Sequence, residues 1–314
     1  MNAPDATTPG QQPFRGLSVL IVSWNRQETL DRCLAAVQKG LPGAQTVVVD
    51  NGSTPALALP DTVLRLRSEA NLGFAGGCNL AFPRCTGDKL LLLNNDALLP
   101  SAEPVEQLLR FLDNHPACAA AQAKLVLPDG TLDACGEYMT PFGVLYHHGY
   151  RQPDSEAAAQ ARPVFAGKGA CLLLRRSAVL DAGGLFREGF FCYYEDVDLC
   201  HRLWLAGHEV WFVPTAPVLH DEGSSARRLP SRLVWKHYLS NMLASACDLW
   251  GWRAWLTRGP WFLLLVFACA LRRGVLPLPR RAPMPFVRRR AEREVLARVT
   301  ARPPLRYYLT LARR

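Results

Sequence analysis

The stretch LSVLIVSWNRQETLDRCLAAV (residues 17–37) decides how the rest of this chain is read. It opens on a short continuous apolar run, the pattern of a strand buried on both faces. Asn25 then stands three residues before Glu28, a spacing of capping-box type, and Leu30, Leu34 and Val37 recur at helical intervals. Strand followed by helix is the expectation, and the pattern repeats. QTVVVDNGS (45–53) is a second buried strand ending in polar residues, and KLLLLNNDALLP (89–100) is a third, ahead of a helix beginning near Ser101. Such alternation predicts an α/β fold with a mostly parallel central sheet and flanking helices, in which ligands bind beyond the carboxyl ends of the strands. The residues to watch are therefore Ser23, Asn25, Asp50, Asn51, Asn94, Asn95 and Asp96. The first strand-to-helix turn is SWNRQE and not G-x-G-x-x-G, which argues against a dinucleotide site.

Beyond residue 115, Pro128-Asp129-Gly130 signals a turn between extended segments, and 147–163 reads as a loop with His147 and His148 on the surface. A strand at 170–174 leads to a short helix capped by Ser177 and closed by Gly183-Gly184. A helix then runs from Glu195 to Ala206, stopped by Gly207, before the strand HEVWFVP; two further helices, parted near Gly251 and Trp252, fill 231–272. Residues 1–16 read as a disordered tail, 17–230 as the α/β domain, and 231–314 as a basic, amphipathic helical region.

The chain is 314 residues long, 49% hydrophobic and 20% charged, a globular composition. Its N-terminus lacks the basic and apolar regions of a signal peptide, so the catalytic part is expected in the cytoplasm. Ten cysteines are scattered without a C-x-x-C pair, which reads as reduced core thiols and argues against a zinc site. Charge is uneven: residues 223–314 carry nineteen basic side chains against three acidic, and residues 1–222 carry seventeen against twenty-four. The basic block surrounds WGWRAWLTRGPWFLLLVFACALRRG (250–274). Its apolar run of eleven residues, Trp261 to Leu271, is shorter than the ~20 needed to span a bilayer. Arginines beside interfacial tryptophans suit a membrane surface, with the chain peripheral on its inner face, better than nucleic acid.

Four constellations carry chemistry. Asp50 ends a buried strand where a nucleotide would sit. NLGFAGGCNL (71–80) offers Asn71, Gly73 and Asn79 on a glycine-rich loop ahead of a helix, a setting that favours phosphate or sugar oxygens. Asp96 can serve a hard divalent cation, which needs only one or two protein carboxylates when a diphosphate completes its shell, and His220 can add a nitrogen ligand. Gly223-Ser224-Ser225 with Arg227 and Arg228 can close over phosphates. In GFFCYYEDVDLCHRLWL (189–205), Glu195, Asp196 and Asp198 crowd at a helix start; such repulsion costs stability unless a cation, a helix N-terminus or a reacting proton compensates it.

Taken in order, VLIVSWNRQETLDRCL, VVVDNGS, NLGFAGGCNLA with LLLLNND, and FFCYYEDVDLCHRLWLAGHEVWFVP ending in LHDEGSS resemble the family 2 glycosyltransferases of GT-A fold. The likeness covers about residues 17–240 and points to the rhamnosyltransferase-like branch of bacterial polysaccharide assembly. It implies an inverting enzyme that uses a nucleotide sugar and Mg2+ or Mn2+. It also implies that Asp50 reads the pyrimidine base, that Asn94-Asn95-Asp96 stands for the Asp-x-Asp metal motif, that Asp196 is the catalytic base beside Glu195, and that His220 completes the metal site. Asn94 departs from the family's first aspartate and leaves one carboxylate in the motif. The expected reaction is transfer of L-rhamnose from dTDP-rhamnose to a lipid-linked or polysaccharide acceptor. The alternatives are a UDP-hexose or UDP-N-acetylhexosamine donor, and a non-catalytic sugar-nucleotide-binding protein.

Overall fold

The computed structural model describes residues 13–154, 158–221, 230–280, 282, 284–304 and 307–308. The N-terminal half runs β1 (Leu17–Ser23), α1 (Gln27–Gly40), β2 (Gln45–Asn51), β3 (Leu64–Ser68), α2 (Gly73–Ala81), β4 (Lys89–Leu93), β5 (Ala97–Leu98) and α3 (Glu103–Asn114). A run of short strands follows: β6 (Cys118–Gln122), β7 (Leu125–Val126), β8 (Leu132–Ala134), β9 (Glu137–Met139), β10 (Leu145–His147), β11 (Arg162–Pro163) and β12 (Cys171–Arg175). The remainder is α4 (Arg176–Asp181), α5 (Glu195–Leu205), β13 (Glu209–Phe212), β14 (Val218–His220), α6 (Ser231–Leu249), α7 (Trp252–Arg273) and α8 (Glu292–Val299).

Eight strands form the main sheet in the order β11-β13-β6-β12-β4-β1-β2-β3. β1, β2, β3 and β4 pair in parallel, as does β13 with β6, while β12 lies antiparallel between β4 and β6 and β11 closes the edge antiparallel to β13. The sheet is thus mixed rather than simply parallel. Alternation along its strands feeds two cores: Val19, Ile21, Leu91 and Leu93 face α1 and α3, whereas Leu20, Leu90 and Leu92 face α2 and α5.

Three expectations are corrected. Residues 13–16 form a turn with Phe14 only 2% exposed in the first core, so the composition-based tail does not extend to residue 16. Asn25 does not cap α1: it adopts φ 54°, its side chain accepts from Thr54 N, and Arg26 holds the N-cap position. Ser177 lies inside α4, whose N-cap position is Arg175. Trp250, Phe262, Val266 and Val299 of the C-terminal region belong to the second core.

α7 has 22 residues, so at 1.5 Å per residue it measures about 33 Å, longer than its apolar run suggested and sufficient in length and composition to cross a bilayer. Its stripe of Ala254, Phe262, Val266 and Ala270 packs on the protein, however, while Leu256, Trp261, Leu264, Phe267 and Leu271 remain exposed. α7 therefore lies along the domain with one face buried and the other exposed.

Candidate active site

A cavity of about 590 Å3 opens at the carboxyl ends of β1, β2 and β4, where the strand pattern places a ligand site. Asn51, Asn71, Gly73, Asn95, Asp96, Glu195, Asp196 and His220 line it, all picked out by sequence. Ser23 stands just behind, its hydroxyl accepting a hydrogen bond from Asn95 Nδ2 at 2.9 Å.

A small second sheet of order β5-β14-β7-β8 builds the corner that holds Asp96 and His220. Antiparallel pairing of β14 with β5 sets His220 opposite Ala97 and so beside Asp96, with Nε2 3.5 Å from Asp96 Oδ1. From β8, Asp133 accepts from His220 Nδ1 at 2.8 Å and also pairs with Lys168. That second-layer carboxylate fixes the imidazole and turns Nε2 toward Asp96, the arrangement by which proteins orient a metal-binding histidine. Among the described residues no three His, Cys, Asp or Glu side chains gather around one point. One carboxylate and one imidazole nonetheless fit Mg2+ or Mn2+, which leave several positions to water and substrate phosphates. Burial works against the His220 imidazolium, but the hydrogen bonds to Asp133 and Asp96 outweigh it and lift the group from 6.5 to about 9. In that state Nε2 donates to Asp96, so a cation held through Nε2 would have to displace that proton.

On another wall, α5 begins with the acidic cluster. Asp196 accepts from Gly169 N at 2.9 Å through Oδ2 and from Val197 N at 2.8 Å through Oδ1. Burial, followed by the negative charge of Glu137, raises its pKa from 3.8 to about 6. Glu195 is raised well above its ordinary value, first by burial and then by the charge of Asp196; among the described residues its Oε2 has no hydrogen-bond partner. Asp198 does something different. It is buried and bridges Arg187 and Arg202 at 2.8 Å each, and Arg187 reaches Asp248 of α6 at 2.8 Å. The puzzle of three crowded acids resolves into three environments: Asp198 paired with two arginines, Asp196 held by backbone N–H groups, and Glu195 buried beside it and pushed toward its neutral form.

The loop entering α5 is strained. Tyr193 and Tyr194 both adopt left-handed backbone, φ 66° and 72°, a conformation that costs of order 1–3 kcal/mol per non-glycine residue and concentrates at functional sites. Asn241 of α6 secures it by donating to Cys192 O at 3.1 Å and Tyr193 O at 2.8 Å. Gly73, with φ 75°, meets the same loop: a Cβ there would lie 2.0 Å from Phe191 O. Close backbone approach between two loops, as well as to a ligand, therefore demands that glycine.

Other expected residues lie apart. Asp50 is 1% exposed and outside the cavity lining; it accepts from Ser53 N and Leu57 N and pairs with Arg67, thereby shaping the loop after β2. Asn51 and Asn71 face the cavity but also stitch the 71–73 loop, Asn51 donating to Gly73 O at 3.0 Å and Asn71 accepting from Gly73 N at 2.8 Å. Asn79 is structural: it exchanges two hydrogen bonds with the backbone of Phe186 and does not line the cavity. Asn25 is likewise engaged in the turn at Ser53-Thr54. Arg227 lies outside the described residues.

Sequence reading missed Asp133, Glu137, Lys168 and His147. His147 is no free surface residue, since it pairs with Glu137 at 2.7 Å across β9 and β10 and lines the cavity. Signals existed: an aspartate inside the extended stretch TLDAC, and a lysine flanked by glycines just before a buried strand.

Comparison with known proteins agrees with this geometry. Residues 13–247 match the family described as Glycosyltransferase like family 2. The N-acetylglucosaminyl-diphospho-decaprenol L-rhamnosyltransferase of Mycobacterium tuberculosis is 31% identical over 277 residues, covering 77% of this chain and 89% of that protein. The hexosyltransferase Agl10 of low-salt glycan biosynthesis in Haloferax volcanii is 24% identical, covering 73% of this chain and 75% of that one. Among solved structures, GalNAc-T7 with UDP, GalNAc and Mn2+ superposes with a TM-score of 0.59 at 15% identity, over 85% of this chain and about half (52%) of the other. The mannosyltransferase PcManGT of Pyrobaculum calidifontis with GDP-Man and Mn2+ gives 0.52 at 17%, over 86% and 79% of the two chains. These structural likenesses concern the fold. With the acidic helix start, the Asp96–His220 corner and the shared cavity in place, the chain belongs to the family 2 glycosyltransferases of GT-A fold and is a glycosyltransferase.

Proposed function

We propose that the enzyme transfers L-rhamnose from dTDP-rhamnose, with inversion, to a lipid-linked acceptor at the inner face of the cell membrane. The observation that carries this reading is the Asp196 carboxylate, held by two backbone N–H groups in the same cavity as Asp96 and His220 and raised to about 6. The rhamnosyltransferase relative supports the choice of donor and acceptor class. The exposed apolar face of α7, set among arginines, supports the location.

The acceptor hydroxyl oxygen attacks the anomeric carbon while the bond from that carbon to the diphosphate oxygen breaks. Asp196 takes the hydroxyl proton as the new bond forms, which a carboxylate titrating near 6 can do at neutral pH because it is then largely ionised. Its hold on Gly169 N and Val197 N fixes the direction in which the lone pair points. Burial and the Asp196 charge both favour the neutral form of Glu195 beside the base. Asp96 and His220 would hold Mg2+ or Mn2+, which, when bound, neutralises charge developing on the departing diphosphate. Asn51 and Asn71 keep the 71–73 loop in shape against the donor. Asp50, by shaping the loop after β2, would set the walls of the base pocket.

The test is release of nucleoside diphosphate from a panel of nucleotide sugars, with a lipid-linked acceptor present and with Mg2+, Mn2+ or chelator. Acceptor-dependent release from dTDP-rhamnose is expected. Release from a UDP-hexose or UDP-N-acetylhexosamine instead reassigns the donor, and binding without turnover of any donor overturns the catalytic reading.

A further inference from the structure

A second cavity of about 320 Å3 adjoins the first and differs in character. Its walls are Val234, Leu239 and Met242 of α6 with Leu265, Val266 and Cys269 of α7, opposite the β10 strand. Tyr238, Tyr193, Leu145, Lys168, His147 and Tyr150 line both cavities, so the two adjoin along a shared boundary. The shared residues include an ammonium, an imidazole and a phenol, which stand where an apolar compartment meets the compartment containing Asp196. α7 contributes Leu265, Val266 and Cys269 inward and Leu264, Phe267 and Leu271 outward, so one helix separates the apolar cavity from an exposed apolar surface. Arg273, in the last turn of that helix, lays its guanidinium over Trp235, another lining residue, at 4.4 Å.

We infer that this second cavity binds the first segment of the acceptor's hydrocarbon chain, so that α6 and α7 are an acceptor subsite as well as a membrane contact. The inference rests on the proposed transfer to a lipid-linked acceptor. Such a molecule has three parts in fixed order: a sugar hydroxyl, a phosphate linkage and an apolar chain. The adjoining cavities offer the same order: Asp196, then Lys168, His147 and Tyr150 at the shared boundary, then apolar walls. Apolar lining with a few polar groups at one end is how concave sites take amphipathic ligands. A free acyl chain without a sugar head would not need the connection to the catalytic cavity, and a soluble polysaccharide would not need the apolar walls. The contact also explains why Asn241 of α6 grips the strained Cys192-Tyr193 backbone: the helix that lines the chain subsite also holds the loop that leads into Asp196.

The experiment compares two acceptors in detergent, one with a long prenyl chain and one cut to a short alkyl group. The wild type is expected to show the higher kcat/KM with the long chain, and Val234→Trp or Cys269→Trp, which fill the cavity from half-buried positions, to lower the long-to-short ratio at least tenfold. A general folding defect lowers both rates and leaves that ratio in place. Phe267→Ser, on the outer face of α7, is expected to keep it. Independently of turnover, a prenyl diphosphate with a photoreactive distal isoprene should label peptides of residues 231–249 and 252–273, and the label should fall in Cys269→Trp. An unchanged ratio in both tryptophan variants, or label confined to the outer face of α7 or to another region, overturns the subsite. If the wild type transfers sugar to neither acceptor, the reading of the reaction fails, and the photolabel still decides what the cavity binds.

Discussion

Replacement of Asp196 by Asn separates the chemistry of this site from its stability. The carboxylate uses both oxygens, accepting from Val197 N at 2.8 Å and Gly169 N at 2.9 Å. An Asn side chain has one acceptor, so one backbone N–H would face an amide donor, a loss of about 1–3 kcal/mol. Against this stands the charge that is removed. A carboxyl raised from 3.8 to about 6 makes its ionised form costly in the folded protein, by roughly 3 kcal/mol at neutral pH at 1.36 kcal/mol per unit. The sign follows from the direction of the shift: this cost appears as pH rises past the unfolded value and saturates above about 6. The two effects nearly offset each other, so Asp196→Asn should unfold in denaturant within ~2 kcal/mol of the wild type at pH 7.5. Turnover behaves otherwise. Loss of a general base removes a factor of about 100 to 10,000. In the wild type, kcat/KM should fall as pH drops through about 6, to roughly a tenth of its plateau at pH 5, because the base must be ionised. The residual activity of the variant should lack that limb. Steady-state release of nucleoside diphosphate between pH 5 and 8, with an unfolding curve for each protein, reads all three quantities. Turnover within tenfold of the wild type, or a surviving limb near 6, would refute the assignment of Asp196 as the base.

Four further outcomes follow from the same contacts. Glu137→Gln removes the charge that, after burial, does most to raise Asp196, so the acid limb of kcat/KM should move to lower pH; a limb that stays put rejects that coupling. Asp198→Asn leaves Arg187 and Arg202 buried with reduced compensation and should lower unfolding free energy by about 3–5 kcal/mol in urea at pH 7, with a loss below 1 kcal/mol contradicting the bridge. Burial opposes ionisation of Asp198, but Arg202 and Arg187 outweigh it and depress the group, so its stabilisation is complete above about 4 and lost only as pH falls toward the depressed value. Asp133→Asn should weaken Mn2+ binding in the presence of nucleoside diphosphate by about 10- to 100-fold by calorimetry, through loss of His220 orientation, and undiminished affinity would remove Asp133 from the metal corner. Leu264→Ser with Phe267→Ser should reduce flotation with anionic vesicles while leaving the unfolding midpoint near that of the wild type, since both side chains are exposed; unchanged flotation would place the membrane contact elsewhere.

The amino-acid sequence by itself determined β1, α1, β2 and β4, because buried runs such as VLIV and LLLL and the helical spacing of Leu30, Leu34 and Val37 record burial directly, whereas β3 and the helix over Gly73–Ala81 were not read from it. It also put Asp96, Glu195, Asp196 and His220 on one list, since strand ends and crowded acids leave local marks. Tertiary structure decided what each of them does. Glu195, Asp196 and Asp198 are near neighbours in the chain, yet Asp198 meets two arginines, Glu195 meets none, and Asp196 meets backbone N–H groups and the field of Glu137. Apart from Arg202, one helical turn on from Asp198, those partners lie up to 59 positions away (196 − 137), and no local pattern encodes them. The same holds for Asp133, which sits 87 residues from His220 and reaches it only because β14 joins β5 and β7 in the small sheet. Asn79 shows the converse. Its place on a glycine-rich loop suggested a ligand, and its partner proved to be the Phe186 backbone 107 residues on. Side-chain type and spacing report which groups are available; ionisation, orientation and the walls of a cavity arise from long-range contacts that exist only once the sheet and the C-terminal helices are assembled.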